Sequence, residues 1–329
     1  MADRYSQSQL DSIMKPTTSL VLEQDPLLSM LQSKGRIKYG KSGDRLSKDY
    51  VVDAHGIKSY GRLATHVASE KGDYIRAYWP WGGVYDDDYL AGWDTENQGA
   101  EGSLATGTIR DIRNEAITQM RENFTQRFRE QVWAGDGASL NGGTGVTILG
   151  ITQAVPDSPS TGTYAGLSRV TYTGWRSRTT AGASGPSNSW TADCWERVLT
   201  SITQCSRTPM DGESSPKPDM LFCDFTNYVQ LLNRALTQNT ALDTEIKGIT
   251  TLLGMRLEQS ENISGKVYTL NSKSIEISST HPTGVLFRMH YKKDLEDHID
   301  ENDEVLVMRF KGQCRVMFPA ANGVITSAS

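Results

Sequence analysis

Residues 135–145 read GDGASLNGGTG, and five glycines in eleven positions is the density a phosphate-cradling loop uses. Backbone N–H groups approach an anion only where side chains are missing. A P-loop needs G-x-x-x-x-G-K-[ST] leading into a helix; no Lys lies between Gly135 and Gly145, and this loop follows a helical segment. A dinucleotide fingerprint fails at Leu140, which stands in the third glycine position. His290, Asp294 and His298 lie at steps of four, which on a helix would give one face three metal ligands. Tyr291 to Asp300 is so charged that a solvated surface is the better reading. Asp86, Asp87, Asp88, Asp94 and Glu96 gather in one acidic stretch. An EF-hand would need an oxygen ligand where Leu90 stands, and Glu96 falls one residue short of the bidentate position, so a solvated acidic turn is expected. Cys194, Cys205, Cys223 and Cys314 form no CxxC and no zinc spacing and read as reduced thiols. HExxH and GxSxG are absent, and no carboxylate pair sits in an apolar context that would raise a pKa. No catalytic residue, metal or cofactor is expected.

What the glycine loop does have is a long helix before it. Ile109, Ile112, Ala116, Ile117, Met120, Phe124, Phe128 and Val132 recur mostly at steps of three or four, with charged residues on the other sides. Thr106 or Thr108 caps the start, and Gly135 and Gly137 stop the helix. Some 27 residues give a rod of roughly 40 Å, with Ile117, Met120, Phe124 and Phe128 as its core side. The chain then turns into a short apolar strand, Ile148 to Ile151.

The rest of the chain mixes both element types. Polar residues 1–35 carry scattered apolar anchors, with Asp25-Pro26 opening one short helix through Leu31. Residues 36–40 and 74–81 are aromatic, strand-like runs, and the polar stretch between them fits a long hairpin with too few apolar residues to bury itself. Residues 152–190 are rich in Ser, Thr, Gly and Pro. A helix over 191–206, a strand over 219–223 and a helix capped by Asp224 follow, then strands near 254–257, 266–270, 274–277 and 285–289. Residues 303–310 and 313–318 read as two strands parted at Gly312, and 320–329 as a small-residue tail. Across 329 residues, net charge −5, 37% hydrophobic content and a mean hydropathy of −0.47 are low for one large core and suit an extended subunit that buries surface against neighbours. No block of Lys or Arg signals a tight nucleic-acid grip. The polar N-terminus predicts no signal peptide, and no apolar run approaches the roughly 18 residues of a membrane span.

The order helix, Trp133, Gly135-Asp136-Gly137, Gly143-Thr144, Leu149-Gly150-Ile151, then Tyr164-Ala165-Gly166-Leu167-Ser168-Arg169 and Trp175-Arg176, resembles the major capsid proteins of tailed bacteriophages, the Hong Kong 97-type fold. Ala165 replaces a glycine of that pattern. The resemblance implies an α+β chain with an N-terminal arm (1–35), an E-loop and acidic loop (36–103), a P-domain spine helix and loop (104–150), an A-domain (151–295), and P-domain closing strands and tail (296–329). It also implies a homo-oligomer of hexamers and pentamers forming an icosahedral virion head around double-stranded DNA. That head is assembled in the host cytoplasm with scaffolding, portal and decoration proteins as candidate partners, without sequence-specific DNA binding or a membrane. Candidate interface residues are Lys41, Arg45, Lys48, Lys58 and Arg62 of the hairpin, facing Asp111, Glu115, Glu122 and Glu130 of a neighbour's helix. Some relatives cross-link subunits through a Lys–Asn isopeptide bond assisted by a Glu. Aligned on Pro319, Asn302 falls near that Asn but Arg309 stands where the Glu would be, so no cross-link is expected. Rival readings are an encapsulin-type compartment and a soluble enzyme.

Overall fold

The computed structural model describes residues 22, 25–43, 45–51, 74–90, 112–138, 147–180, 190–207, 217–237, 242–244, 250–282, 286–293 and 304–326. The chain divides into two units of mixed helix and sheet, each built from separate pieces of sequence. The first takes Met1–Ser42, Trp81–Thr152 and Ile275–Arg315; the second takes Gly43–Pro80, Gln153–Ser274 and Val316–Ser329. The boundaries read from sequence differ, because 151–295 was expected to form one domain. Long-range strand pairing, which composition does not reveal, sends the chain back to the first unit at Ile275.

In the first unit the sheet is organised on β15 (Glu304–Val316). β4 (Gly82–Leu90) runs antiparallel along one side of it, from Gly82 opposite Gly312 to Leu90 opposite Glu304. β14 (Arg288–Lys293) runs antiparallel along the other. β13 (Ile275–Ser279) also borders β15 and carries β1 (Ile37–Lys38) in parallel.

Three expectations change here. The two closing strands are one strand of 13 residues, because Gly312 serves close approach and not a turn: a Cβ there would stand 2.4 Å from Ser278 O and from the Phe310 ring. The first part of the acidic stretch is β4 and not a turn, with Asp86, Asp87 and Asp88 opposite Met308, Val307 and Leu306; Asp94 and Glu96 lie outside the described residues. Ladder pairing with β15 overrides the weak strand preference of Asp. His290 lies on a strand, so four-residue steps do not put it on a helix face; Asp294 and His298 lie outside the described residues. No group of three metal-ligating side chains occurs among the described residues.

α1 (Pro26–Ser33) begins where Asp25 Oδ1 accepts from Leu28 N at 2.9 Å and Pro26 occupies the first turn. Leu27, Leu28, Met30 and Leu31 are buried, so the expected arm ends in an anchored helix against β13. α2 (Ile112–Ala134) is the long helix. Met120, Phe124, Phe128 and Val132 are buried and Ile117 is half-buried. Phe124 meets Phe287 edge-on at 5.2 Å, and Phe128 meets Phe287 at 5.0 Å and Phe310 of β15 at 4.9 Å. Burying those two α2 rings contributes about 3–6 kcal/mol before ordering entropy.

The second unit holds a seven-stranded mixed sheet in the order β7 (Arg178–Thr180), β16 (Gly323–Ile325), β12 (Val267–Leu270), β8 (Met220–Cys223), β11 (Met255–Gln259), β10 (Thr250–Leu252) and β9 (Leu242–Thr244). β16 replaces the expected tail. Gly323 is small because a Cβ would meet Ser201 Oγ and Thr269 Oγ1 at 2.8 Å, and Asn322 Oδ1 accepts from Asn271 N at 2.8 Å. Two helices, one at Trp190–Cys205 and one at Phe225–Thr237, pack on each other and on this sheet. Cys194, Val198, Leu221, Leu231, Leu257, Val267 and Ile325 form their shared core. Asp224 Oδ1 accepts from Asn227 N at 3.1 Å, the expected cap of the second of these helices. All four cysteines are buried and free, and burial raises each thiol's pKa.

Phe124→Asp buries a charge among Phe124's ring neighbours and should destabilise the chain by about 3–5 kcal/mol. Urea unfolding measures this, and an unchanged midpoint would contradict the packing. His281, only 4% exposed, has its pKa pushed down to about 4 by burial and then by Arg309, Arg288 and His290. The unfolded chain binds that proton first, so stability should fall as pH drops from about 6.5 towards 4. At pH 5 the loss from this group is about 2 kcal/mol. His281→Gln should flatten that part of the stability profile.

Candidate subunit interface

The hairpin pairs β2 (Arg45–Val51) with β3 (Tyr74–Pro80) antiparallel, Leu46 opposite Trp79 and Asp49 opposite Arg76. Residues 52–73, with Lys58 and Arg62, lie outside the described residues. Along β2 the side chains alternate: Arg45, Ser47 and Asp49 are exposed, while Leu46 is buried and Lys48 and Tyr50 are half-buried. Tyr50 Oη donates to Met317 O, and its ring lies 4.8 Å from Trp175 and 5.6 Å from Phe318. Trp79 is fully buried and its Nε1 donates to Tyr164 Oη at 3.1 Å. The base of the hairpin is therefore anchored in its own unit, contrary to the expectation of a hairpin with little hold at home.

The nine candidate charges are not equivalent. Lys41 and Arg45 are exposed; the Arg45 guanidinium covers the Tyr78 ring at 4.4 Å. Lys48 is drawn inward, its Nζ 4.3 Å from the Phe318 ring centre. Glu122 is exposed, whereas Glu130 accepts from Arg127 Nη1 of its own helix at 2.8 Å. Asp111 lies outside the described residues, and Glu115 belongs to α2 while its side chain does not belong to them. Sequence reading missed Asp49, whose carboxylate takes both Nε and Nη2 of Arg76 across the strands; that hydrogen bonding lowers its pKa. The period-two pattern of β2 was its visible signal, masked by Lys48 on the inward side.

The motif residues of the loops have structural tasks. Gly135 N donates to Gln131 O at 2.9 Å, and Gly150 N donates to Gly135 O at 2.7 Å. A Cβ on Gly135 would stand 2.3 Å from Ile148 O, and one on Gly150 2.5 Å from Trp133 O. The expected strand 148–151 is a single bridge, Leu149 to Asp136, followed by the short helix α3 (Ile151–Ala154). In the second unit, Ala165 and Gly166 both adopt positive φ, 52° and 77°, between β5 (Thr163–Tyr164) and β6 (Leu167–Ser168). Ala165 thus holds a left-handed position at a cost of about 1–2 kcal/mol. Arg169 is 4% exposed, and its Nη2 donates to Gln153 O and Ala154 O at the end of α3. Trp175 Nε1 donates to Tyr164 O at 3.1 Å, and Arg176 Nε donates to Arg169 O at 2.6 Å.

This architecture is shared with solved protein shells. The cyanophage A-1(L) capsid asymmetric unit matches with a TM-score of 0.67 at 17% identity, over 89% of this chain and 90% of that one. The capsid of Myoviridae phage XM1 matches at 0.54 and 10% identity, over 89% and 90%. The holo-SrpI encapsulin complex of Synechococcus elongatus PCC 7942 matches at 0.54 and 9% identity, over 90% and 87%. No protein-family model and no curated protein matches the sequence. The chain therefore has the mixed α and β fold of shell-forming subunits. Within that class, the cyanophage capsid gives a higher score than the encapsulin.

Replacing 47–68 by a Gly/Ser turn removes Tyr50 and its partners' contacts and should lower stability by about 1–3 kcal/mol. Replacing 52–73 leaves β2, β3 and those contacts intact and should leave the subunit's melting temperature unchanged. Calorimetry of the two variants separates the cases.

Proposed function

We propose that this chain is the major capsid subunit of a tailed phage, a structural protein without catalytic activity. The likeness to the cyanophage capsid subunit over nine-tenths of both chains carries this reading. In this reading the first unit, with α2 and the β15 sheet, acts as the P-domain and the second unit as the A-domain. The outer part of the β2–β3 hairpin is the E-loop that reaches a neighbouring subunit. Lys41 and Arg45, exposed and unspent on carboxylates in the described structure, and Lys58 and Arg62 are the cations offered to Glu122, Asp111 and Glu115 of a neighbour. Each such pair is worth about 0–1 kcal/mol, and a closed shell repeats it in every subunit. Hexamers and pentamers would enclose double-stranded DNA in the virion head, assembled in the host cytoplasm with scaffolding, portal and decoration proteins as further partners.

Arg309 supports a shell without covalent cross-links. It is exposed on β15, in register with Arg288 on one side and Tyr85 on the other, so neither directly opposed residue can accept a proton from a lysine.

Expressed alone, the chain should form shells, tubes or sheets under electron microscopy, and mature particles boiled with reductant should run as one band. A ladder of covalent oligomers would remove the uncross-linked reading, and a monodisperse monomer the shell itself. Nuclease-sensitive contents identify a capsid; a co-purifying cargo enzyme identifies an encapsulin-type compartment.

A further inference from the structure

The second unit contains a cleft of about 580 Å³ where the segment leading into β7 faces the end of the Trp190–Cys205 helix. Arg176, Arg178 and Arg207 line it together with Ser177 and Thr173, and no Asp or Glu is among the described residues that do so. Ser177 is 3% exposed, and its Oγ has no hydrogen-bond partner. Arg178 Nε is buried and equally without one. Both atoms are closed off from solvent, so a ligand in the cleft is left to the remaining guanidinium N–H groups and to the exposed Thr173 hydroxyl. Arg176 is already oriented: its Nε donates to Arg169 O at 2.6 Å and its Nη2 to Val170 O at 3.1 Å, which fixes the guanidinium plane and leaves Nη1 for a ligand. Arg207 is exposed at the cleft's rim.

We propose that this cleft binds phosphate groups. Three guanidiniums with hydroxyls beside them, and no carboxylate among the described lining residues, suit an oxyanion that takes several separate donors, as a phosphate does. The volume is that of a small-molecule site and leaves room for linked phosphates, either in a diphosphate or along a phosphodiester backbone.

The full chain is titrated by calorimetry with pyrophosphate and, separately, with a short oligothymidylate at about 50 and 200 mM salt. Arg178→Gln and Arg207→Gln are each expected to weaken pyrophosphate binding about tenfold or more, and Thr173→Ala to weaken it less. Arg207 is exposed, so its variant decides the matter if Arg178→Gln fails to fold. Tighter binding of the oligonucleotide, weakened by salt and by the same variants, identifies a polynucleotide as the phosphate source; binding of pyrophosphate alone identifies a small phosphorylated ligand. The proposal is overturned if neither probe binds, or if the variants bind both probes as the parent does.

Discussion

Backbone-to-backbone contact between Gly135 and Gly150 is the constraint on which the first unit depends. A helix end and a returning strand do not normally pass within hydrogen-bonding distance, because side chains hold them apart. Here both crossing residues are glycines, and the 2.7 Å bond from Gly150 N to Gly135 O closes the turn. Leu149 N then donates at 2.7 Å to Gln313 Oε1, whose side chain is fully buried in the sheet. One short loop thus sets where α2 stops and ties the returning segment to β15. Gly135, the first glycine of the stretch that looks like a phosphate cradle, is thus required by packing.

The aromatic residues divide the remaining work. Phe124, Phe128, Phe287 and Phe310 interlock as edge-on rings and hold α2 to its sheet. Tyr50, Trp79, Tyr164 and Trp175 do the corresponding job for the hairpin base, with Tyr164 Oη receiving both Trp79 Nε1 and Val316 N. Large rings bury much area for few degrees of freedom, which suits a chain only 37% hydrophobic.

Local signals in the sequence transferred well to the structure, and non-local ones did not. The α2 stripe, the caps at Asp25 and Asp224 and most strand positions follow from periodicity and side-chain chemistry within a few residues. The errors share one origin. Gly312 read as a break, Asp86 to Asp88 as a turn and Gly323 to Ile325 as a tail, because what makes each of them a strand residue is a partner far away in sequence. The hairpin's hold on its own unit was hidden similarly: Lys48 looks like a surface charge until the Phe318 ring is placed beneath it. Of the candidate interface, the charges were legible, but which of them their own chain had already engaged was not, as Glu130 and Arg127 show.

β16 lies second in its sheet, between β7 and β12, and supplies Val324 and Ile325, both fully buried. Its residues are numbers 323–325, while most of the strands it joins come from 178–270. During synthesis the sheet therefore stays open between β7 and β12 until the ribosome has released residue 325. Premature termination even a few codons before Gly323 therefore yields a second unit whose β7 has lost the strand that joins it to β12. Completion of the second unit is thereby tied to the last stretch of the chain to be translated.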